Sequence, residues 1–358
     1  MHADAQSGAI PPPIVLTSIF RHGNAGGFEY ARTDTPAWGP LEEALTALEG
    51  GAGAALFASG MAAIAAVLHE LPMGAAVVGD RAGYSGTRRL LSEWDEAGRI
   101  RARLVDATDV AAVSAAAAGA TLVCLETITN PLLGVCDVRA CVEAARGAGA
   151  VVMVDNTFAT PLLLRPLDLG ADIVVHSLTK YVAGHSDVIL GALVAADQGR
   201  LDALRSHRAM LGSIAGPVET WLALRGLRTL DVRLRRQLAS ALALAGRLQG
   251  ASGVRAVVYP GLPSHPQHDL ARRQFDDGFG GIVGVEVLGG ADAADAVCGR
   301  TRLWQHATSL GGVESTLERR SRYELDAEVA PAGYLRLSVG IEDVDDLADD
   351  LLGALAAG

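Results

Sequence analysis

Lys180 is the only lysine among the 30 basic residues of this 358-residue chain; all the others are arginine. Lysine is ordinarily among the commonest residues, so a bias toward arginine has replaced it wherever a positive charge suffices. A surviving lysine marks a position where arginine cannot serve. Its primary amine can lose a proton and attack a carbonyl, which a guanidinium cannot do; that is Schiff-base chemistry. Ser177 and Thr179 stand three and one residues before it, a spacing suited to anchoring a phosphate while the lysine reaches an aldehyde on the same small molecule. Upstream, Ala58-Ser59-Gly60-Met61-Ala62 reads as the opening of a helix. Free N–H groups at a helix start form an anion site, and Gly60 permits close approach. Asp155 ends a short apolar run, where an acid could keep a pyridine nitrogen protonated and the ring electron-withdrawing. A phosphate-bearing aldehyde bound by lysine, with an acid across its ring, describes pyridoxal 5′-phosphate.

These residues need a frame, and the chain has one. The apolar runs Ala75–Val78, Thr121–Leu125, Val151–Val154 and Ile173–Val175 alternate with helical periods. Short continuous apolar runs of this kind read as buried strands of a parallel sheet covered by helices on both faces. They end in Gly79-Asp80, Glu126-Thr127, Asp155-Asn156 and His176-Ser177, so polar groups gather at the carboxyl ends of the strands, where open α/β sheets place ligands. A long Arg-rich helical stretch from about Glu219 to Leu248 leads to a second region with strands expected at Val254–Val258, Gly281–Val287 and Tyr334–Val339. An acidic helix follows Glu342. Residues 1–40, with Pro11-Pro12-Pro13 and several glycines, contain too few periodic apolar residues to fold alone. The division expected is therefore an arm over 1–40 contacting a neighbouring subunit, an α/β domain over 41–235, and a smaller α/β domain over 236–358.

Bulk properties exclude other classes. The net charge is −11 and no stretch clusters arginine with aromatics, so a nucleic-acid partner is not expected. Met1-His2-Ala3-Asp4 lacks the basic and apolar regions of a signal peptide, and no apolar run reaches the ~18 residues of a membrane span. Cys124, Cys136, Cys141 and Cys298 show no C-x-x-C pair or metal spacing, as expected for buried free thiols in a reducing cytosol. The expectation is a cytoplasmic protein without metal.

With the motifs together, the chain resembles the pyridoxal-phosphate enzymes of Cys/Met metabolism, among them cystathionine γ-lyase, cystathionine γ-synthase and methionine γ-lyase. The resemblance runs through Tyr30-Ala31-Arg32, Phe57 to Ala63, Tyr84-Ser85-Gly86-Thr87, Glu126 to Pro131, Val154 to Phe158 and Ser177 to Asp187. It continues through Arg225 to Leu230, Tyr259 to Pro266, Ser309 to Ser315 and Leu335 to Gly340. It implies the type I, aspartate aminotransferase-like fold, with a mostly parallel α/β domain and a smaller C-terminal α/β domain. Lys180 would anchor the cofactor and shuttle protons, with Asp155 at the pyridine nitrogen and Tyr84 stacked on the ring. Gly60, Met61, Ser177 and Thr179 would hold the phosphate, and Asn130 the phenolic oxygen. Tyr30 and Arg32 would reach the phosphate of a neighbouring subunit, so that the active site is shared in a homotetramer built as a dimer of dimers. Arg336 would grip the substrate α-carboxylate as a bidentate fork, with Ser309 beside the lysine. The substrate would be a small sulfur amino acid.

The leading expectation is a cystathionine γ-lyase-like enzyme, giving cysteine, 2-oxobutanoate and ammonia; γ-synthase and methionine γ-lyase are the alternatives within the family. The chain departs from the common pattern at several points. Asp34-Thr35-Pro36-Ala37 replaces a G-N-P-T motif. Leu317 to Tyr323 replaces an H-P-x-x-M-T-H stretch. Thr308 stands where several cystathionine lyases carry Glu, and Gly86 where methionine γ-lyases often carry a reactive Cys. The Gly86 difference weighs against the methionine reading. Outside the family, Gly51-Ala52-Gly53 begins a dinucleotide fingerprint, but Leu56 holds its third glycine position. A cofactor-free binding module is opposed by the complete set of Asp155, Lys180 and Arg336.

Overall fold

The computed structural model describes residues 8–357; the first four residues, read above for a signal, lie outside them. Seven strands form the first sheet: β1 Gly53–Phe57, β2 Ala75–Asp80, β3 Ile100–Val105, β4 Leu122–Glu126, β5 Val151–Asp155, β6 Ile173–Ser177 and β7 Gly191–Ala195, in the order β1-β7-β6-β5-β4-β2-β3. From β3 across to β6 all pairings are parallel, while β7 runs antiparallel to both β6 and β1. Successive side chains alternate between faces. Val152, Val154 and Val174 enter one apolar cluster, and Met153, Ile173 and Val175 enter the other. With both faces covered, β1, β2 and β7 are buried at every residue, which is why their sequences are continuous apolar runs rather than alternating ones.

Four of these strands match the apolar runs read from the sequence. β3 does not read as one because Arg101 and Arg103 interrupt it; it lies at the sheet edge, where one face meets solvent. β1 begins inside the apparent dinucleotide fingerprint, yet its glycines serve packing. A Cβ on Gly51 would lie 2.8 Å from the Ala195 carbonyl, and one on Gly53 2.3 Å from Leu201.

Five further strands make the second sheet: β8 Val254–Val258, β9 Ile282–Val287, β10 Gln305–His306, β11 Thr316–Arg319 and β12 Tyr334–Ser338, in the order β10-β11-β12-β9-β8. The stretch expected as one long helix is two, Pro217–Leu227 and Leu230–Leu248. Arg233 holds the break. Its buried guanidinium donates to the carbonyls of Tyr181, Val182 and Gly226 at 2.8, 3.2 and 2.8 Å, tying the helix junction to the loop that follows Lys180. The second helix then joins the two halves: Leu230, Leu234 and Leu238 pack into the first core, Leu244, Ala245 and Leu248 into the second. The expected boundary at 235 falls within this helix.

From residue 8 to Ala37 the arm is irregular. The Trp221 indole donates to the Pro12 carbonyl at 3.0 Å and Arg228 to the Ile10 carbonyl at 3.3 Å, while Ile10, Leu16 and Ile19 stay about 70% exposed. Among the described residues no helix is long and apolar enough to cross a membrane, and no His/Cys/Asp/Glu group could hold a metal ion. The four cysteines are free and buried.

Candidate active site

A cavity of about 470 Å³ opens where the carboxyl ends of β4, β5 and β6 face the second sheet. Each strand delivers one group. β6 ends at Ser177, and the chain then turns tightly, with the Lys180 N–H donating to the Ser177 carbonyl at 3.1 Å and Gly184 N–H returning to the Lys180 carbonyl at 2.9 Å. This turn aims the lysine into the cavity, where Nζ donates to Ser309 Oγ at 2.9 Å. Burial lowers its pKa from 10.5 to about 8, aided by the nearby Arg336 charge and opposed by Glu318.

Asp155 ends β5 and Glu126 ends β4, directly paired in register. Asp155 Oδ1 accepts the Thr157 N–H at 2.9 Å. Burial raises its pKa, while Thr157, His176 and Lys180 act against that rise. A buried carboxylate in this condition gains from a cation beside it. Glu126 is pushed well above the usual carboxylate range, first by burial and then by the charges of Asp155 and Asp80. Its two oxygens accept the backbone N–H groups of Tyr84 at 2.5 Å and Asn130 at 3.1 Å, so it fixes both of these residues. The sequence reading assigned Glu126 no role. Its signal was available: an acid ending a buried strand next to the strand that ends in Asp155.

Tyr84 precedes the helix Ser85–Glu96 and its ring lines the cavity. A Cβ on Gly86 would lie 2.6 Å from the Tyr84 ring; glycine at 86 gives the ring its position. Burial, then the Asp155 charge, raises the phenol pKa, so Tyr84 remains a proton donor at neutral pH.

The floor near β6 is made by the start of the helix Gly60–His69. Ser59 Oγ caps it by accepting the Ala62 N–H at 3.1 Å, whereas the first-turn N–H groups of Gly60 and Met61 have no intrahelical acceptor. A Cβ on Gly60 would come within 3.0 Å of the Ser177 Cβ, so glycine allows the helix start to abut the strand end. Ser177 and Thr179 line the same corner. The Thr179 hydroxyl is also committed to Leu190, donating to its carbonyl at 3.2 Å and accepting its N–H at 3.0 Å.

On the opposite wall, Arg336 projects from β12. Nη1 donates to Asn130 Oδ1 at 2.8 Å; Nη2 donates to the Ser309 carbonyl at 3.0 Å and to Glu318 Oε1 at 2.6 Å. Burial first, then Arg320, lowers its pKa to about 10. Ser309 has φ +78, a left-handed conformation uncommon for a non-glycine residue. Its hydroxyl thereby meets Lys180 while its carbonyl meets Arg336. Thr308, Arg320 and Tyr323 line the cavity beside it; the segment Leu317 to Tyr323, which departs from the family pattern, thus borders the pocket.

Lys180, Asp155, Tyr84, Asn130, Gly60, Met61, Ser177, Thr179, Ser309 and Arg336 all line this one cavity. Tyr30 and Arg32 do not. Arg32 donates to the Ala209 carbonyl at 2.6 Å and its guanidinium lies 5.5 Å from the Tyr30 ring centroid, with Tyr30 nearly half exposed. The donor set fits pyridoxal phosphate. Unpaired helix-start N–H groups and Ser177 suit its phosphate, a lysine with lowered pKa its aldehyde, and a buried anion its pyridine nitrogen.

Comparison with known proteins agrees. A family model described as Cys/Met metabolism PLP-dependent enzyme matches residues 1–356. The chain is 43% identical over 368 residues to the cystathionine gamma-synthase of Mycobacterium tuberculosis, covering 98% of this chain and 93% of the relative. It is 38% identical over 367 residues to the cystathionine gamma-lyase of Bacillus subtilis, covering 98% and 96%. The crystal structure of cystathionine gamma synthase from Xanthomonas oryzae pv. oryzae in complex with cystathionine superposes with a TM-score of 0.94 at 41% identity, covering 99% of this chain and 94% of that one.

Proposed function

The chain belongs to the pyridoxal-phosphate-dependent enzymes of Cys/Met metabolism, and from that premise we propose that it cleaves the Cγ–S bond of cystathionine, giving cysteine, 2-oxobutanoate and ammonia. The observation that carries the reading is the Lys180 amine, lowered to about 8 in a cavity that also holds Asp155 and Arg336. When bound, pyridoxal phosphate supplies an aldehyde for the substrate amine and a ring that stores the electrons of a broken C–H bond. The protein's own groups do the rest. Gly60, Met61, Ser177 and Thr179 would hold the phosphate, Asp155 would keep the pyridine nitrogen protonated, and Asn130 would meet the phenolic oxygen. Arg336 holds the α-carboxylate. Lys180 Nζ, free once the substrate amine is bound, would take the Cα proton as a neutral base, hand it on to the cofactor, and then take a Cβ proton, whose bonding electrons form the Cβ–Cγ double bond as the Cγ–S bond breaks; Ser309 Oγ would keep the amine aimed. Tyr84, still a phenol, would stack on the ring and deliver a proton to the departing sulfur.

In this reading the segment 41–235 binds the cofactor and 236–358 supplies Arg336. The enzyme works in the cytoplasm as a dimer of dimers, with Tyr30 and Arg32 completing the phosphate site of a neighbouring subunit. In support, both lie outside their own cavity, on an arm with exposed apolar residues. Synthesis of cystathionine from an activated homoserine and cysteine is the second reading, favoured by the name of the mycobacterial relative. Methionine cleavage is the third, and Gly86, which accommodates the Tyr84 ring, speaks against it. Product analysis with cystathionine, with methionine, and with O-succinylhomoserine plus cysteine tests the order. The γ-lyase reading expects 2-oxobutanoate and cysteine from cystathionine at the highest kcat/KM; faster formation of cystathionine from the homoserine ester would replace it.

A further inference from the structure

Arg336 is not free to take a carboxylate in the arrangement seen here. Nη2 gives both its protons to acceptors within the protein, the Ser309 carbonyl and Glu318 Oε1. A two-point grip across the end of the guanidinium needs one of them returned. The Ser309 carbonyl is fixed by its backbone, but Glu318 is a side chain with other partners. The same Oε1 accepts from Arg320 Nη1 at 2.6 Å and from the Thr308 hydroxyl at 3.2 Å, and Oε2 accepts from the Tyr323 hydroxyl at 3.0 Å. Arg320 is held in turn by Asp326, through Nε at 2.8 Å and through Nη2, with its guanidinium 4.6 Å from the Tyr323 ring centroid. Arg336, Glu318, Arg320 and Asp326 are all buried. They form a row of alternating charge that is neutral as a whole, and both of its arginines line the cavity.

We propose that Glu318 is an internal stand-in for the substrate's carboxylate: it occupies Arg336 in the unliganded enzyme and yields it when the α-carboxylate arrives, retained by Arg320 and Tyr323. The inference rests on the reading of Arg336 as the α-carboxylate holder. Two carboxylates on one desolvated guanidinium repel, so the apparent affinity for substrate is reduced by the fraction of molecules in which Arg336 is open. Arg320 sets that fraction, because it offers Glu318 a cation after the exchange. The two ends of the row therefore act with opposite sign. Removing the charge of Glu318 opens Arg336; removing Arg320 leaves Glu318 with Arg336 as its remaining cation in the row. A purely structural cluster would have both substitutions weaken binding.

The test is titration of the holoenzyme with L-norvaline, which carries the amine and α-carboxylate but no leaving group. Binding is followed by calorimetry and by the cofactor's visible absorbance, with a thermal melt for each variant. Glu318→Gln is expected to tighten binding about tenfold and Arg320→Met to weaken it about tenfold. Arg336→Lys, which lacks the planar fork, is expected to weaken it about a hundredfold. Should Glu318→Gln fail to fold, Asp326→Asn takes its place: Arg320, released from Asp326, holds Glu318 more firmly and binding tightens about threefold. Unchanged or weaker binding in Glu318→Gln, or in Asp326→Asn as its replacement, overturns the stand-in role. An Arg336→Lys enzyme that binds norvaline like the wild type overturns the carboxylate reading beneath it, a separate outcome.

Discussion

Replacing Lys180 by arginine keeps the charge and removes the chemistry, and the structure sets the size of the effect. Burial of the amine, reinforced by Arg336, brings its pKa from 10.5 to about 8. At pH 7 an amine of pKa about 8 is ~10% unprotonated, against ~0.03% at 10.5, a gain of ~300-fold in the form that attacks an aldehyde. The assay is stopped-flow capture of pyridoxal phosphate by apoenzyme, followed by absorbance from pH 6 to pH 10. The capture rate should rise about tenfold per pH unit as the amine deprotonates and level off near pH 8. Lys180→Arg should show no capture at any pH in the range, since a guanidinium stays protonated. A wild-type rate still rising tenfold per unit at pH 10 would refute the reasoning, because it would mean that the pocket does not perturb the lysine.

The same lowered pKa has a stability consequence of fixed sign. Between about pH 8 and 10.5 the unfolded chain holds a proton on Lys180 that the folded chain lacks, so apoenzyme stability should rise with pH across that window. Lys180→Met should stabilise the apoenzyme at pH 7 by up to about 3 kcal/mol, read from denaturant melts. Gly191→Ala puts a Cβ 2.2 Å from the Ser59 carbonyl and 2.6 Å from Gly60 N. It should cost about 2–3 kcal/mol in the same melts and, by pushing on the helix start, weaken cofactor binding measured by equilibrium dialysis. Arg32→Ala and Lys180→Ala subunits, each inactive alone, should recover roughly one quarter of wild-type activity when refolded together, if Arg32 serves a neighbouring subunit across a two-fold axis. Recovery of nothing above background would mean that Arg32 does not serve a neighbouring subunit's site.

The parts of the fold legible in the sequence were those governed by one rule. β4, β5 and β6 are buried on both faces, so their apolar runs are unbroken, and Asp155 and Lys180 stand out at or just beyond their ends. β7 is equally apolar but follows the lysine turn without a helix between them, and so lacks the strand–helix rhythm that marks the others. The helix break at Arg228-Thr229 is invisible locally; its cause is Arg233 gripping carbonyls some fifty residues earlier in the chain. The site divides in the same way. Lys180, Asp155 and Ser177, which stand out in the sequence at or beyond strand ends, are brought together in one cavity. Glu126, whose task is to hold the backbones of Tyr84 and Asn130, was assigned no role, because no motif encodes a backbone contact. Glu318 and Arg320 stand in the sequence only as part of a departure from the family pattern; it is the antiparallel pairing of β11 with β12 that sets Glu318 opposite Arg336.

The central claim is that Lys180 carries the cofactor. Borohydride reduction of the purified holoenzyme, followed by proteolysis and mass spectrometry, tests it with little ambiguity, since the chain has one lysine. The account predicts a phosphopyridoxyl group on the peptide containing Ser177 to Tyr181. A reduced enzyme with no such group on Lys180, or with the cofactor bound elsewhere in the chain, would contradict it.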